Sequence, residues 1–177
     1  MAKKEIKMDL WVAAQLDECK IRFDAQGSNV KEINEALKSA SKRGTGNVGY
    51  PEYTAVIGDF VLVIEDKANM DKQIKLTDSG IIDMSVKAVT DYAVNGAYFY
   101  AKHIAQNTAF KKVFAVGVSG DAKHHIITRC GWMIVRATSS CRTLNLLSHS
   151  LSRILASIIP VMCWKRQPTS RRQPSRF

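Results

Sequence analysis

Phe60-Val61-Leu62-Val63-Ile64 is an unbroken apolar run that stops abruptly at Glu65-Asp66-Lys67. In an extended strand successive side chains point to opposite faces. A run without polar alternation must therefore bury both faces. A strand in the interior of a sheet, with other elements packed above and below it, meets that demand. The run steers the chain toward an α/β fold and places three charged residues where the buried strand ends.

The residues before the run fit the same sheet. Tyr53–Ile57 is rich in β-branched and aromatic side chains, and Gly58-Asp59 separates it from Phe60. Glycine at the first of two central positions is the signature of a type II′ hairpin loop. Ile57 then pairs with Phe60, and every cross-strand pair sums to 117. This register sets Glu52 opposite Glu65, with Cβ atoms roughly 4.5–5.5 Å apart. Lys67, two residues beyond Glu65, projects from the same face.

Helical periodicity marks the flanks. Leu10 to Lys20 carries Leu10, Trp11, Ala14 and Leu16 on one side. A second helix starts at Ser28 or Asn29 as cap, with Glu32 in the capping-box position. It buries Ile33, Ala36, Leu37 and Ala40 and ends in Lys42-Arg43-Gly44. Residues 43–51 are a Gly-rich loop and residues 68–84 are polar and loop-like. Ser85 to His103 forms a long helix striped by Val86, Val89, Ala93, Ala97 and Tyr100, and Lys111 to Val118 is a strand. The order α, α, β, β, α, β predicts a mixed sheet flanked by helices.

Composition divides the chain in two. Residues 129–177 hold nine Lys or Arg and no Asp or Glu, so residues 1–128 keep 17 of the 26 basic residues against all 16 acidic ones. Cys130, Cys141 and Cys163, three of the four cysteines, also lie in this tail. The expected organisation is a folded domain over 1–128 and a poorly structured basic tail over 129–177. The tail either grips nucleic acid or anionic lipid, or is adventitious. The cysteines lack CxxC spacing and the four histidines form no ligand pattern, so neither zinc nor a disulfide framework is expected. No apolar run reaches 18 residues and no apolar core follows the basic N-terminus. Neither a membrane span nor a signal peptide is expected, and the cytoplasm is the expected location.

Two facing carboxylates repel, and a divalent cation between them offsets that repulsion. Oxygen-only ligands favour Mg²⁺, or Mn²⁺ in its place. With the Lys67 ammonium beside it, the trio Glu52, Glu65 and Lys67 has the parts needed for phosphodiester hydrolysis. Pro51-Glu52, followed thirteen residues later by Glu65-Asp66-Lys67, resembles the motif of the PD-(D/E)xK nuclease superfamily, with Glu52 where aspartate is usual. More narrowly, Ala40-Ser41-Lys42, Gly49-Tyr50-Pro51-Glu52, Val63-Ile64-Glu65-Asp66-Lys67-Ala68 and the words around Lys87 to Ala97 resemble restriction-modification proteins of the type I and type IIG-like kinds. In these a nuclease domain precedes an N6-adenine DNA methyltransferase.

The resemblance covers roughly residues 10–128 and implies a restriction-endonuclease-like core acting on double-stranded DNA. It further implies a helix-borne acid at the metal, either Glu32 or Glu35, unless both simply face solvent. Lys87 and Tyr92 fall near a polar-plus-tyrosine motif of related nucleases, although Tyr92 suits the core equally well. Lys42 and Arg43 either contact DNA phosphate or form a solvated helix end. The implied partners are a fused or associated methyltransferase and a target-recognition domain. Neither the Gly-rich cofactor motif nor the Asn/Asp-Pro-Pro-aromatic motif of such a methyltransferase is present. The competing expectation is a catalytically idle DNA-binding or assembly module.

The genetic code adds one more expectation. Read from the third base of each codon, Trp132-Met133-Ile134 is forced to Asp-Asp, and Met162-Cys163-Trp164-Lys165 to Val-Leu-Glu. An acid-free tail thus conceals an acidic, ordinary protein sequence, as a frameshift near Thr128 would produce. The apolar stretch from Leu144 to Trp164 would then be accidental. Sequencing the gene tests this. The expected result is a methyltransferase frame continuing downstream in the shifted register, and its absence would return the basic tail to a genuine binding role.

Overall fold

The computed structural model describes residues 2–44, 46, 48–133 and 143–144. Cys141, Cys163 and nearly all of the basic tail lie outside these residues, as does the apolar stretch of the tail beyond Leu144. Among the described residues the chain forms helices α1 (Ala2–Glu18), α2 (Lys31–Leu37), α3 (Val86–Asp91) and α4 (Ala93–Asn107). The strands are β1 (Asp24–Ala25), β2 (Tyr53–Ile57), β3 (Phe60–Lys67), β4 (Lys112–Gly120), β5 (His125–Met133) and β6 (Thr143–Leu144). They lie in one sheet in sequence order. β3 and β4 are parallel and every other neighbouring pair is antiparallel. This is the mixed α/β sheet that the sequence predicts.

The apolar run does what its pattern requires. Leu62 and Ile64 face a core closed by Met8, Val12 and Leu16 of α1. Val61 and Val63 face a second core closed by Ile33 and Leu37 of α2 and by Ala97, Tyr100 and Ile104 of α4. The hairpin has the predicted register, from Ile57↔Phe60 to Tyr53↔Ile64. Gly58 takes the left-handed φ of 64° that a II′ turn asks of its first central residue. β3 continues past the run to Lys67, carried by pairing to β4 as far as Lys67↔Ser119.

Several elements differ from the sequence reading. α1 begins at Ala2, and its buried side is Met8, Val12 and Leu16, at i, i+4 and i+8, while Leu10 is 63% exposed. α2 is capped by Val30 without a side-chain bond. Asn29 is not the cap; its backbone N–H (2.7 Å) and its side-chain amide both donate to the Asp24 carboxylate. Ser28 instead receives the Val30 N–H at 3.2 Å. Glu32 closes no capping box; its carboxylate accepts from the Ala109 backbone N–H. The helix stops at Leu37, so Lys42 and Arg43 lie in the following loop.

The long helix is two. Tyr92 is extended (φ −116°, ψ 134°) and ends α3 as it starts α4. Gln73 supplies the physical reason. Its carbonyl accepts the Val94 N–H at 2.9 Å, and its side chain donates to the Gly117 carbonyl at 2.9 Å. The first turn of α4 is thereby tied to β4 instead of to α3. Residues 68–84, read as loop, hold a short turn of 3₁₀ helix (Met70–Lys72) and an isolated bridge, Leu76↔Ile82. Buried Asn95 bonds both Lys75 backbone groups and the Asp83 carbonyl. β5 is absent from the sequence reading and runs through residue 128, with Thr128 opposite Gly117 and Cys130 opposite Ala115.

α4 approaches the sheet over Gly117, where a Cβ would stand 2.5 Å from both the Val94 nitrogen and its Cγ2. Contacts that short force backbone to move. Gly117→Ala should therefore lower stability by about 1–3 kcal/mol, the usual cost of overpacking. Urea unfolding checks this, and an unchanged midpoint would mean that α4 is not held at that distance.

Candidate functional site

β3 alternates through its charged end. Glu65 continues the face of Val61 and Val63, beneath α4, and Asp66 continues the face of Leu62 and Ile64, beneath α1. Both are buried, Glu65 at 1% and Asp66 at 6% exposure.

Glu65 sits among cations. The Lys42 ammonium lies 2.7 Å from Glu65 Oε2, and the Lys67 ammonium 3.9 Å from the same oxygen. The other oxygen, Oε1, is buried with no hydrogen-bond partner. α4 passes directly above. A Cβ on Gly96 would stand 3.0 Å from the Lys42 nitrogen and 3.1 Å from Glu65 Oε2. Lys42 also lies 4.7 Å from the centre of the Tyr100 ring. Burial, then the charges of Glu65 and Glu52, raise the Tyr100 hydroxyl above the usual phenol range.

Glu52 lies one step beyond the last pair of the β2–β3 ladder, next to Tyr53. Its backbone carbonyl accepts the Gln26 N–H at 3.0 Å and its side chain accepts from the Gln26 amide. Burial, and then the charge of Glu65, push its carboxyl above the usual range, against the pull of Lys67 and Lys42. The structure thus brings Glu52, Glu65 and Lys67 into one electrostatic neighbourhood.

The remaining candidates fall elsewhere. Glu32 is exposed and engaged with Ala109. Glu35 is exposed and paired with Lys38 at 2.8 Å. Arg43 and Lys87 are exposed. Tyr92 marks the helix break, with the Lys72 ammonium 4.9 Å from its ring centre. Among the described residues no cluster of three or more His, Cys, Asp or Glu side chains is disposed to hold a metal.

Sequence reasoning passed over Asp66, Asp9 and the role of Lys42 beside Glu65. Asp66 was only the middle letter of a triplet. Its carboxyl is pushed up to about 8, chiefly by burial, then by Glu52 and Asp9, with Lys67 pulling the other way. Asp9, on α1, accepts the Tyr53 hydroxyl through its carboxylate and its backbone carbonyl, the latter at 2.9 Å. Nothing in local sequence links residues so far apart.

A cleft of about 730 Å³ opens beyond Lys67, lined by Asn69, Lys72, Thr90, Asp91, Gly120 and His124 along with Lys67 itself. It lies outside the carboxyl ends of the parallel pair β3 and β4, where open α/β sheets commonly receive ligands.

Comparison with known proteins gives one relative. Over 129 residues the chain is 36% identical to the type II restriction enzyme and methyltransferase RM.BcgI of Heyndrickxia coagulans. The aligned stretch is 72% of this chain and 20% of that protein, so the chain spans about a fifth of the length of the curated relative it matches. No family model matches the chain, and no solved structure is a significant match. The likeness is consistent with a restriction-modification relationship. Among the described residues no helix is long and apolar enough to cross a membrane.

The state of Asp66 makes stability depend on pH. The folded chain keeps this proton up to about pH 8, whereas an unfolded aspartate releases it near pH 4. Between those values the folded state binds more protons, so this contribution to stability falls as pH rises from about 4 to about 8, then levels off. Asp66→Asn cannot ionise and should gain on the parent as pH rises. Urea midpoints of both at pH 5 and pH 8.5 check this; a difference that does not change with pH would sink it.

Proposed function

We propose that the chain is the metal-dependent DNA-cleaving module of a restriction-modification enzyme, with Glu52, Glu65 and Lys67 as its catalytic residues. The observation that carries this reading is the buried, unpartnered Glu65 Oε1, with the charges of Glu52 and Lys67 bearing on the same site and Lys67 also lining an open cleft. The residues present suit a hard divalent cation, Mg²⁺ or Mn²⁺. The donors are carboxylate oxygens, and one is already stripped of other partners. Glu52 and Glu65 would hold it, with solvent completing the shell. When bound, such a cation polarises a phosphodiester and makes its hydrolysis easier.

The chain's own residues supply the rest. Lys67, 22% exposed, lies at the rim between the buried carboxylates and the cleft, where its ammonium can orient an attacking water. It also offsets charge that builds on the phosphate oxygens as the bond breaks. Burial and the charge of Glu65 raise the Glu52 carboxyl above the usual range, and a bound cation would favour its ionised form. The DNA substrate is proposed from what the RM.BcgI name says of that protein, together with the basic residues Lys67, Lys72 and His124 along the cleft. An N6-adenine methyltransferase and a target-recognition domain are the partners proposed for the module over residues 1–128.

Supercoiled plasmid tests the assignment. The chain should nick it in Mg²⁺ or Mn²⁺ and not in EDTA. Lys67→Ala and Glu65→Gln should each lower the rate on the order of 10²-fold or more, the scale seen when one charge-stabilising group is lost. Parental nicking by Lys67→Ala would overturn the mechanism. No nicking by the parent with either metal would leave this chain as a DNA-binding or assembly module.

A further inference from the structure

The position of Lys42 is the least expected feature of the site. Its ammonium is closer to Glu65 than that of Lys67, 2.7 Å against 3.9 Å, and on the same oxygen. It is only 16% exposed, held over the Tyr100 ring and covered by α4 at Gly96. There is little room around the pair. A single added methyl on Gly96 would already stand about 3 Å from both partners. A cation held by Glu65 and Glu52 competes with Lys42 for the charge of the Glu65 carboxylate. Two ammonium groups at that distance would also oppose its approach.

Lys42 is followed by glycines whose surroundings are open. Gly44 and Gly46 adopt left-handed φ of 65° and 77° with open space around them, while Gly49 ties the far end of the loop back to the Ala40 carbonyl at 2.9 Å. Beyond the carboxylates lies the cleft walled by Lys67 and Lys72. We propose that Lys42 is an exchangeable counter-ion of Glu65, displaced when a divalent cation binds Glu65 and Glu52, and then freed to contact the phosphate of the nucleic acid substrate. This rests on the proposed cation site and adds to it a positioning residue that links cation binding to phosphate contact.

The test uses Mn²⁺ alone as probe, with the full chain and no DNA. In the parent, acylation of Lys42 by a water-soluble amine reagent, read by peptide mass spectrometry, should rise several-fold on saturation with Mn²⁺, while Lys38, exposed and remote from Glu65, should not change. Lys42→Met should bind Mn²⁺ more tightly, on the order of tenfold, because a competing cation is gone. Lys67→Met should gain less. A residue that merely braces Glu65 would give the opposite sign, with weaker Mn²⁺ binding in Lys42→Met. Mn²⁺ binding by the parent with no change in Lys42 labelling overturns the displacement alone. No Mn²⁺ binding by the parent or by Lys42→Met overturns the cation site and the displacement together. The parental labelling decides even if Lys42→Met fails to fold.

Discussion

A carboxylate carried on a fully buried strand needs compensation close at hand, and the arrangement around Glu65 follows from that need. Removing such a group from water costs several kcal/mol unless opposite charge and hydrogen bonds replace the solvent. Lys42 and Lys67 provide the charge. Lys42 reaches Glu65 beneath α4 where residue 96 has no side chain, and a Cβ there would crowd both partners at about 3 Å. For α4 to lie so low, residue 117 has to lack one as well, and Gln73 has to tie the start of the helix to β4. The break at Tyr92 belongs to the same set. A continuous helix from Ser85 could not present its second half to Gly117 while Gln73 holds Val94.

How much was legible in the sequence depended on the range of the deciding contact. The hairpin was readable because its turn, its register and its apolar run lie within fifteen residues of one another, and backbone pairing with period two leaves little freedom. The placement of Glu52 near Glu65 came from that register. The end of α2 was misread because Lys42-Arg43-Gly44 has the composition of a helix terminus, and only the distant Glu65 explains why Lys42 turns inward instead. The break at Tyr92 is invisible locally, since Val89, Ala93, Ala97 and Tyr100 keep a helical stripe across it. Leu10 was placed inside because a short window around it has helical spacing; the longer helix puts Met8, Val12 and Leu16 there instead. β5 was passed over because the break in composition at residue 129 drew attention away from Ile126-Ile127, which pair with β4.

The strand end also separates two adjacent acids into different roles. Glu65 and Asp66 differ by one residue and therefore by one face of the sheet. Beneath α4, Glu65 meets two lysines. Beneath α1, Asp66 meets Asp9 and Glu52, and burial makes its neutral form the favoured one. Alternation alone gives one carboxyl a charge-compensated setting and the other an apolar, acid-rich one.

The parallel pairing of β3 with β4 sets when the Glu65 environment comes into being. β2 with β3 and β4 with β5 are local hairpins that close over short loops. β3 and β4 meet only after residues 68–111 have been threaded across as a crossover. Contacts of such long sequence separation form late, since the loop must close before any pairing rewards it. If that contact forms late, Glu65 stays hydrated on a solvent-open hairpin edge until it does. In that order Glu65 would lose its water only as α4 docks, and a chain that had not placed Lys42 beside it would meet the full desolvation cost as the two hairpins join.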